Sequence, residues 1–282
     1  KKLIEQKGFQ LIAIEGDWPS TQAVNRYVKS YTTEGETATD VLINAFIRWP
    51  TWMWANKEVA NFTEWLKAYN SSREKKVGFY GIDLYSLFES IDEVLKFLSK
   101  NPQHQVDLEY AKRAFTCFEP YNRMPEHYAL SAAHFSDECI SEVASLLRSL
   151  RNHSNHYSNE QEEDLNVVMN ALVAKNAEIY YREMMSDEKS WNARDYHMVE
   201  AINELRNYYG EDTKIIVWEH NTHIGDASET SMKNEQMINV GQIIREQYGK
   251  ENTYAIGFGT YEGTVIAADQ WGDHFEIIKI PP

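Results

Sequence analysis

The chain has 282 residues, 43% of them apolar and 13% aromatic, and 28 Lys and Arg against 43 Asp and Glu leave a formal charge of −15. Such a composition buries a core, which excludes a disordered or collagen-like chain. The acidic excess excludes a general electrostatic pull on nucleic acid or an anionic membrane, and no apolar run reaches the roughly 18 residues of a membrane span.

Lys1-Lys2-Leu3-Ile4-Glu5-Gln6-Lys7 reads as a helix tail closed by Gly8. Residues 11–15, 77–83, 214–219 and 253–259 read as buried strands, with 264–268 as a fifth. Each is a near-continuous apolar run, which suits a sheet covered on both faces. Asp17 and Pro19 open a helix with the stripe Val24, Tyr27, Val28 and Tyr31. Ser86-Leu87-Phe88-Glu89 has the form of a capping box ahead of Ile91, Val94, Leu95 and Leu98. Met237, Val240 and Ile244 form a last stripe, stopped by Gly249. Residues 84–213 carry helical signals and no strand signal, too long a stretch for a simple crossover. Within them, 151–164 reads as a polar loop leading into a helix at 165–183. The expectation is a single α/β domain over 1–282, a mostly parallel sheet covered by helices, with a large helical insertion (84–213) between the second and third strands.

Cys117 and Cys139 lack metal-ligand spacing, and no signal peptide opens the chain. Both are therefore expected as free thiols in a reducing, cytoplasmic setting.

In a covered α/β sheet, ligands bind beyond the carboxyl ends of the strands. Glu15 and Asp17 close the first strand, Asp83 the second, and Glu219, His220 and His223 the third. Carboxylates and imidazoles at one edge are what acid–base or metal chemistry needs. Asp17 and Asp83 each precede a helix, where an N-cap aspartate is common, so capping is the readier account of both. Glu15 precedes a glycine and has no such explanation. The two imidazoles of His220-Asn221-Thr222-His223 fall on one side of a helical turn, a weak signal alone. Trp49, Trp52 and Trp54 pack a core or line a substrate, and Arg194 beside Asp195 is a buried ion pair or a substrate contact. No nucleophile elbow, phosphate-binding loop, dinucleotide glycine pattern or CxxC is present.

Taken in order, AIEGDWP, RWPTWMW, GFYGIDLYS, NARDYHM, WEHNTHIGD and NVGQIIREQYG…YAIGFGTYEGTV resemble the erythromycin esterase family over nearly the whole chain. The resemblance implies an α/β protein with a helical subdomain that hydrolyses an ester, such as a macrolide lactone, with an activated water and no covalent intermediate. It places the family's strand-end glutamate on Glu15 and its paired histidines on His220 and His223, as catalytic residues. Asp83, Trp52 and Arg194 are the expected substrate contacts. The family's Gly-Glu-x-Ser/Thr-His segment, whose histidine is the expected general base, does not occur in these 282 residues. The partner implied is a small-molecule ester, with no cofactor, metal, nucleic acid or membrane; the oligomeric state is not legible. Some relatives carry names linked to succinoglycan synthesis. Two other readings use the same residues: a metal-dependent hydrolase built on the His/Glu cluster, and a non-catalytic glycan- or polyketide-binding protein.

Overall fold

A computed structural model of the chain describes residues 1–31, 36–100, 102–135, 138–157, 160–268 and 276–281. The chain opens with α1 (Lys2–Lys7), which ends at Gly8 in the left-handed region, φ 70°. Three strands form a wholly parallel sheet: β1 (Leu11–Asp17), β2 (Gly78–Asp83) and β3 (Ile215–Trp218), in the order β2-β1-β3. Between β1 and β2 come α2 (Trp18–Val28), α3 (Ala38–Ala45) and α4 (Lys57–Asn70). The insertion between β2 and β3 is helical, as expected from 84–213. It contains α5 (Leu87–Ser99), α6 (Gln105–Phe115), α7 (Pro125–Phe135), α8 (Ile140–His153), α9 (Glu163–Arg182) and α10 (Asp187–Tyr209). After β3 follow α11 (Asn221–Ile224), α12 (Val240–Tyr248) and an antiparallel hairpin, β4 (Gly263–Ala267) with β5 (Glu276–Ile280).

Both faces of the sheet are covered, which explains the continuous apolar runs. Leu11 and Ala13 of β1, with Tyr80 and Ile82 of β2, face a large core filled by the insertion helices. Ile12 and Ile14, with Phe79, face a second core built from α2, α3 and α4. Residues of alternating parity thus divide one strand between two cores. The β1–β2 register slips between Ile14 and Asp17, so that Asp17 stands opposite Asp83. This irregularity needs Gly81, because a Cβ there would lie 2.2 Å from the Gly16 carbonyl oxygen. At the opposite edge, the buried Lys29 ammonium is held by Glu162, by Tyr80 Oη at 2.7 Å and by Tyr209 Oη at 3.1 Å.

Several local expectations are corrected. Cys117 and Cys139 are joined in a disulfide with Cα atoms 5.8 Å apart, not free; α7 doubles the chain back and brings together two positions whose spacing carries no signal. Residues 253–259 form no ladder, and the strands of the C-terminal region are β4 and β5. Ser86 makes no capping bond to the first turn of α5; its Oγ lies 3.3 Å from Ser90 Oγ. Tyr31 and Met237 fall outside the helices whose stripes they were expected to join. Part of the expected loop at 151–164 is helical, since α8 runs through His153 and α9 starts at Glu163.

Candidate active site

The carboxyl ends of β1, β2 and β3 meet the N-terminal half of α10. Parallel pairing brings the three strand ends together, and α10 crosses them with Trp191, Arg194 and Asp195 on one face, the i, i+3, i+4 positions of a helix. Arg194 is the hub. Its Nε and Nη2 donate to the two carboxylate oxygens of Asp83 at 2.9 and 2.7 Å, a bidentate pair, and Nη2 also donates to Glu15 Oε1 at 2.8 Å. Its Nη1 lies 3.1 Å from His223 Nε2, and the guanidinium sits 5.0 Å from the centroid of the Tyr85 ring.

Glu15 is 9% exposed and is approached from two further directions. The His220 backbone N–H donates to Oε2 at 2.8 Å, and His223 Nε2 lies 3.5 Å from Oε1. The Trp54 indole N–H donates to the Glu15 carbonyl at 2.7 Å, fixing the backbone on the other side.

His223 is buried against the Trp191 ring, centroids 4.7 Å apart and nearly parallel. Its Nδ1 is 3.0 Å from each oxygen of Asp195. A guanidinium only donates, so in the neutral ring Nε2 is the acceptor and Nδ1 carries the proton toward Asp195. Asp195 is oriented from behind by the Val240 N–H at the start of α12, 2.9 Å away. Asn239 caps that helix, accepting from Gln242 N at 3.0 Å and donating to the Thr222 carbonyl at 2.8 Å. His220 is exposed and stands at the N-cap of α11, its Nδ1 accepting from the Thr222 N–H at 3.3 Å.

Burial opposes the charge on Asp83, and the Arg194 guanidinium more than reverses it, holding the carboxyl below its usual range. For Asp195, burial outweighs His223 and the Val240 N–H, and the carboxyl is raised. Asp17 pairs with Arg48 at 3.0 Å, yet burial pushes its carboxyl up to about 6.

The structure thus brings together Glu15, Asp83, Arg194, His220 and His223, residues separated by up to 208 positions along the chain. Trp52 is placed elsewhere, edge-to-face on Trp49 at 5.4 Å in the turn before α4; the tryptophan of that run that touches the site is Trp54. Arg194 and Asp195 do not pair with each other, but take Glu15 with Asp83 and His223 respectively. Trp191 and the part of Asp195 in orienting His223 escaped the sequence reading, although the WxxRD spacing on a helix is a visible sign of a shared face.

A family model described as erythromycin esterase matches residues 4–282. The chain belongs to the erythromycin esterase family. Among solved structures it is similar to a Bacillus cereus protein, with TM-score 0.72 and 18% identity over 94% of this chain and 61% of that one. It is similar to a succinoglycan biosynthesis protein, with TM-score 0.76 and 19% identity over 99% of this chain and 65% of the other. It is also similar to a histidine-to-asparagine mutant of the erythromycin esterase EreC in its open conformation, with TM-score 0.67 and 17% identity over 99% and 70%. At these identities the likeness is one of fold, and this family member spans between 61% and 70% of the length of the three proteins.

Proposed function

We propose that this protein is a hydrolase that opens a carboxylic ester, a macrolide lactone being the substrate its family name suggests, by the attack of a water held at Glu15. The observation that carries the reading is the convergence of Arg194 Nη2, the His220 N–H and His223 Nε2 on the one Glu15 carboxylate, from α10 and from the chain after β3. Arg194 and the His220 N–H leave Glu15 free to accept one further hydrogen bond, from a water. The exposed His220 ring, whose Nδ1 is occupied by the Thr222 N–H, presents Nε2–H as a donor to the developing oxyanion. His223, with Asp195 behind it, takes the proton of that water when Arg194 Nη1 turns away from its Nε2 lone pair; the family resemblance gives the base role to the histidine of the Gly-Glu-x-Ser/Thr-His segment. A metal-dependent mechanism is disfavoured by Arg194, whose guanidinium fills the space between Glu15, Asp83 and His223.

The test is turnover of a p-nitrophenyl ester, an ethyl ester and erythromycin by the 282-residue chain and by a chain that also carries such a segment. Turnover is expected to survive EDTA and to fall about 10²-fold or more in Glu15→Gln. Activity of the shorter chain alone assigns the base to His223. No hydrolysis by either chain, or an unaffected E15Q enzyme, refutes the reading.

A further inference from the structure

Glu219 follows β3 directly. Ile14 of β1 is registered with Trp218, the last residue of β3, so Glu15 and Glu219 each follow a paired residue at the carboxyl ends of neighbouring parallel strands. Their circumstances differ sharply. The Glu15 carboxylate has two donors, whereas both carboxyl oxygens of Glu219 are buried and reach no hydrogen-bond partner among the described residues. The charges that bear on it are those of Asp195, Glu15 and Asp83, which oppose its ionisation, and of Arg194, which favours it; His220 and His223 follow along the chain. The one guanidinium is already committed to Asp83, Glu15 and His223, and Nδ1 of His223 to Asp195.

A carboxylate enclosed without a donor and beside three others is the costlier form; protonation removes the charge and leaves one O–H that needs an acceptor. Burial, reinforced by Asp195, Glu15 and Asp83 and only partly offset by Arg194, pushes Glu219 well above the usual carboxylate range. Buried donors in folded proteins almost always meet an acceptor, and the described residues give the O–H of a protonated Glu219 none.

We propose that Glu219 is a further catalytic residue of this site, a carboxylic acid that gives its proton to the oxygen leaving the ester carbon. The step rests on the hydrolase reading above and balances as follows. The water oxygen bonds to the acyl carbon and its proton passes to the base. The bond from carbon to the leaving oxygen then breaks, its electron pair going to that oxygen, as the Glu219 O–H breaks and its proton goes to the same oxygen. The Glu219 carboxylate regains a proton from the base, and the net change is ester plus water to acid plus alcohol. A neutral acid enclosed without a donor serves this role because it keeps a proton to give.

An acid of this kind matters when the leaving group is a poor one. Glu219→Gln keeps the shape and the neutrality of the acid but has no proton to give. It is expected to lower kcat/KM for an ethyl ester about 10²-fold while leaving a p-nitrophenyl ester, whose phenolate departs unprotonated, within about threefold. Equal losses on both esters mean a structural role and overturn the proposal, as does no loss on either. A second arm needs no turnover: the infrared C=O stretch of a protonated carboxyl should be present at neutral pH in the wild-type protein and missing from E219Q. No such band means an ionised Glu219, a cation ligand and not an acid, and also overturns the proposal. If the wild-type protein cleaves neither ester, the hydrolase reading fails and the catalytic step with it, while the infrared band still reports whether the proton is there.

Discussion

Asp17 and His197 both feel the charge of Asp83, and burial drives their protonation in opposite directions. The Asp17 carboxyl, ordinarily near 3.8, is pushed to about 6 because burial outweighs its pair with Arg48. Between about pH 4 and pH 6 the folded chain therefore binds more protons there than the unfolded one, and this group's share of stability falls as pH rises. The His197 imidazole is lowered from 6.5 to about 4 by burial, with Nδ1 2.9 Å from Asn176 Nδ2. In nearly the same window the unfolded chain is the one that binds the extra proton, so the His197 share rises with pH. The two contributions have opposite slopes in the wild-type protein. Urea unfolding at pH 4, 5 and 6 is expected to show stability changing more positively with pH in Asp17→Asn than in wild type, and more negatively in His197→Gln; profiles parallel to wild type in both variants contradict the assignment. Residues at strand ends were legible for a related reason, since Glu15, Asp83, His220 and His223 end apolar runs that a parallel sheet must gather at one edge. The Asp195–His223 contact was not legible, because 28 positions separate the two and only the packing of α10 beside the turn of α11 joins them. Nor does the spacing of Trp49, Trp52 and Trp54 tell which indole turns toward Glu15.

Apolar runs identified β1 and β2 because both are sealed between two layers of helices, and sealing is what removes polar residues from a strand; β3 is apolar but only half-buried. The same signal misled at residues 253–259, where an apolar stretch lies in extended conformation without a ladder. There Asn221 takes the place of a neighbouring strand, bonding both the N–H and the carbonyl of Phe258. Helix α9 was legible for its length and apolar content, and the structure buries residues around most of its circumference, from Leu165 to Tyr181. The disulfide was not, since it depends on how α7 turns between the short helix at Thr116–Tyr121 and α8. It closes a sequence separation of 22, and constraining a loop of that size in the unfolded chain is worth about 3 kcal/mol. Cys139 also sits at the N-cap of α8, with its N–H directed at Tyr128 Oη and Glu178 Oε1, each 3.3 Å away. The double variant C117S/C139S, or the reduced wild-type protein, is thus expected to unfold at a lower urea concentration by an amount matching about 3 kcal/mol. Thiol titration of the unfolded, unreduced protein should find no reactive group, and two reactive thiols would show the bridge to be unformed.

Across the molecule, protection from solvent is graded about one strand. β1 is paired on both edges and covered on both faces, with Leu11, Ile12, Ala13 and Ile14 all at 1% exposure or less, and each face belongs to a different core. Opening any of its amides requires breaking two ladders and parting two helical layers, which is close to global unfolding. Among the described residues β3 pairs on one edge only, and its residues are half-buried or, at Trp218, exposed. The β4–β5 hairpin has no third strand among the described residues, and Ile266, Ile277 and Ile278 are exposed; a two-stranded hairpin of that kind is marginal alone. Native-state hydrogen exchange is therefore expected to be slowest in β1, faster in β3 and fastest in β4 and β5, with only the β1 amides tracking the free energy of global unfolding as denaturant is added. The candidate site lies where the slowest strand ends and the insertion begins, so Glu15 is held by the most stable element while His220 and Glu219 belong to a less protected one. Exchange in β4 and β5 as slow as in β1 would show that the hairpin is covered in solution, and that the gradient places stability wrongly. If the gradient holds, a destabilising change in β3 should raise exchange around His220 and Glu219 before it reaches Glu15, a difference that peptide-level measurement resolves.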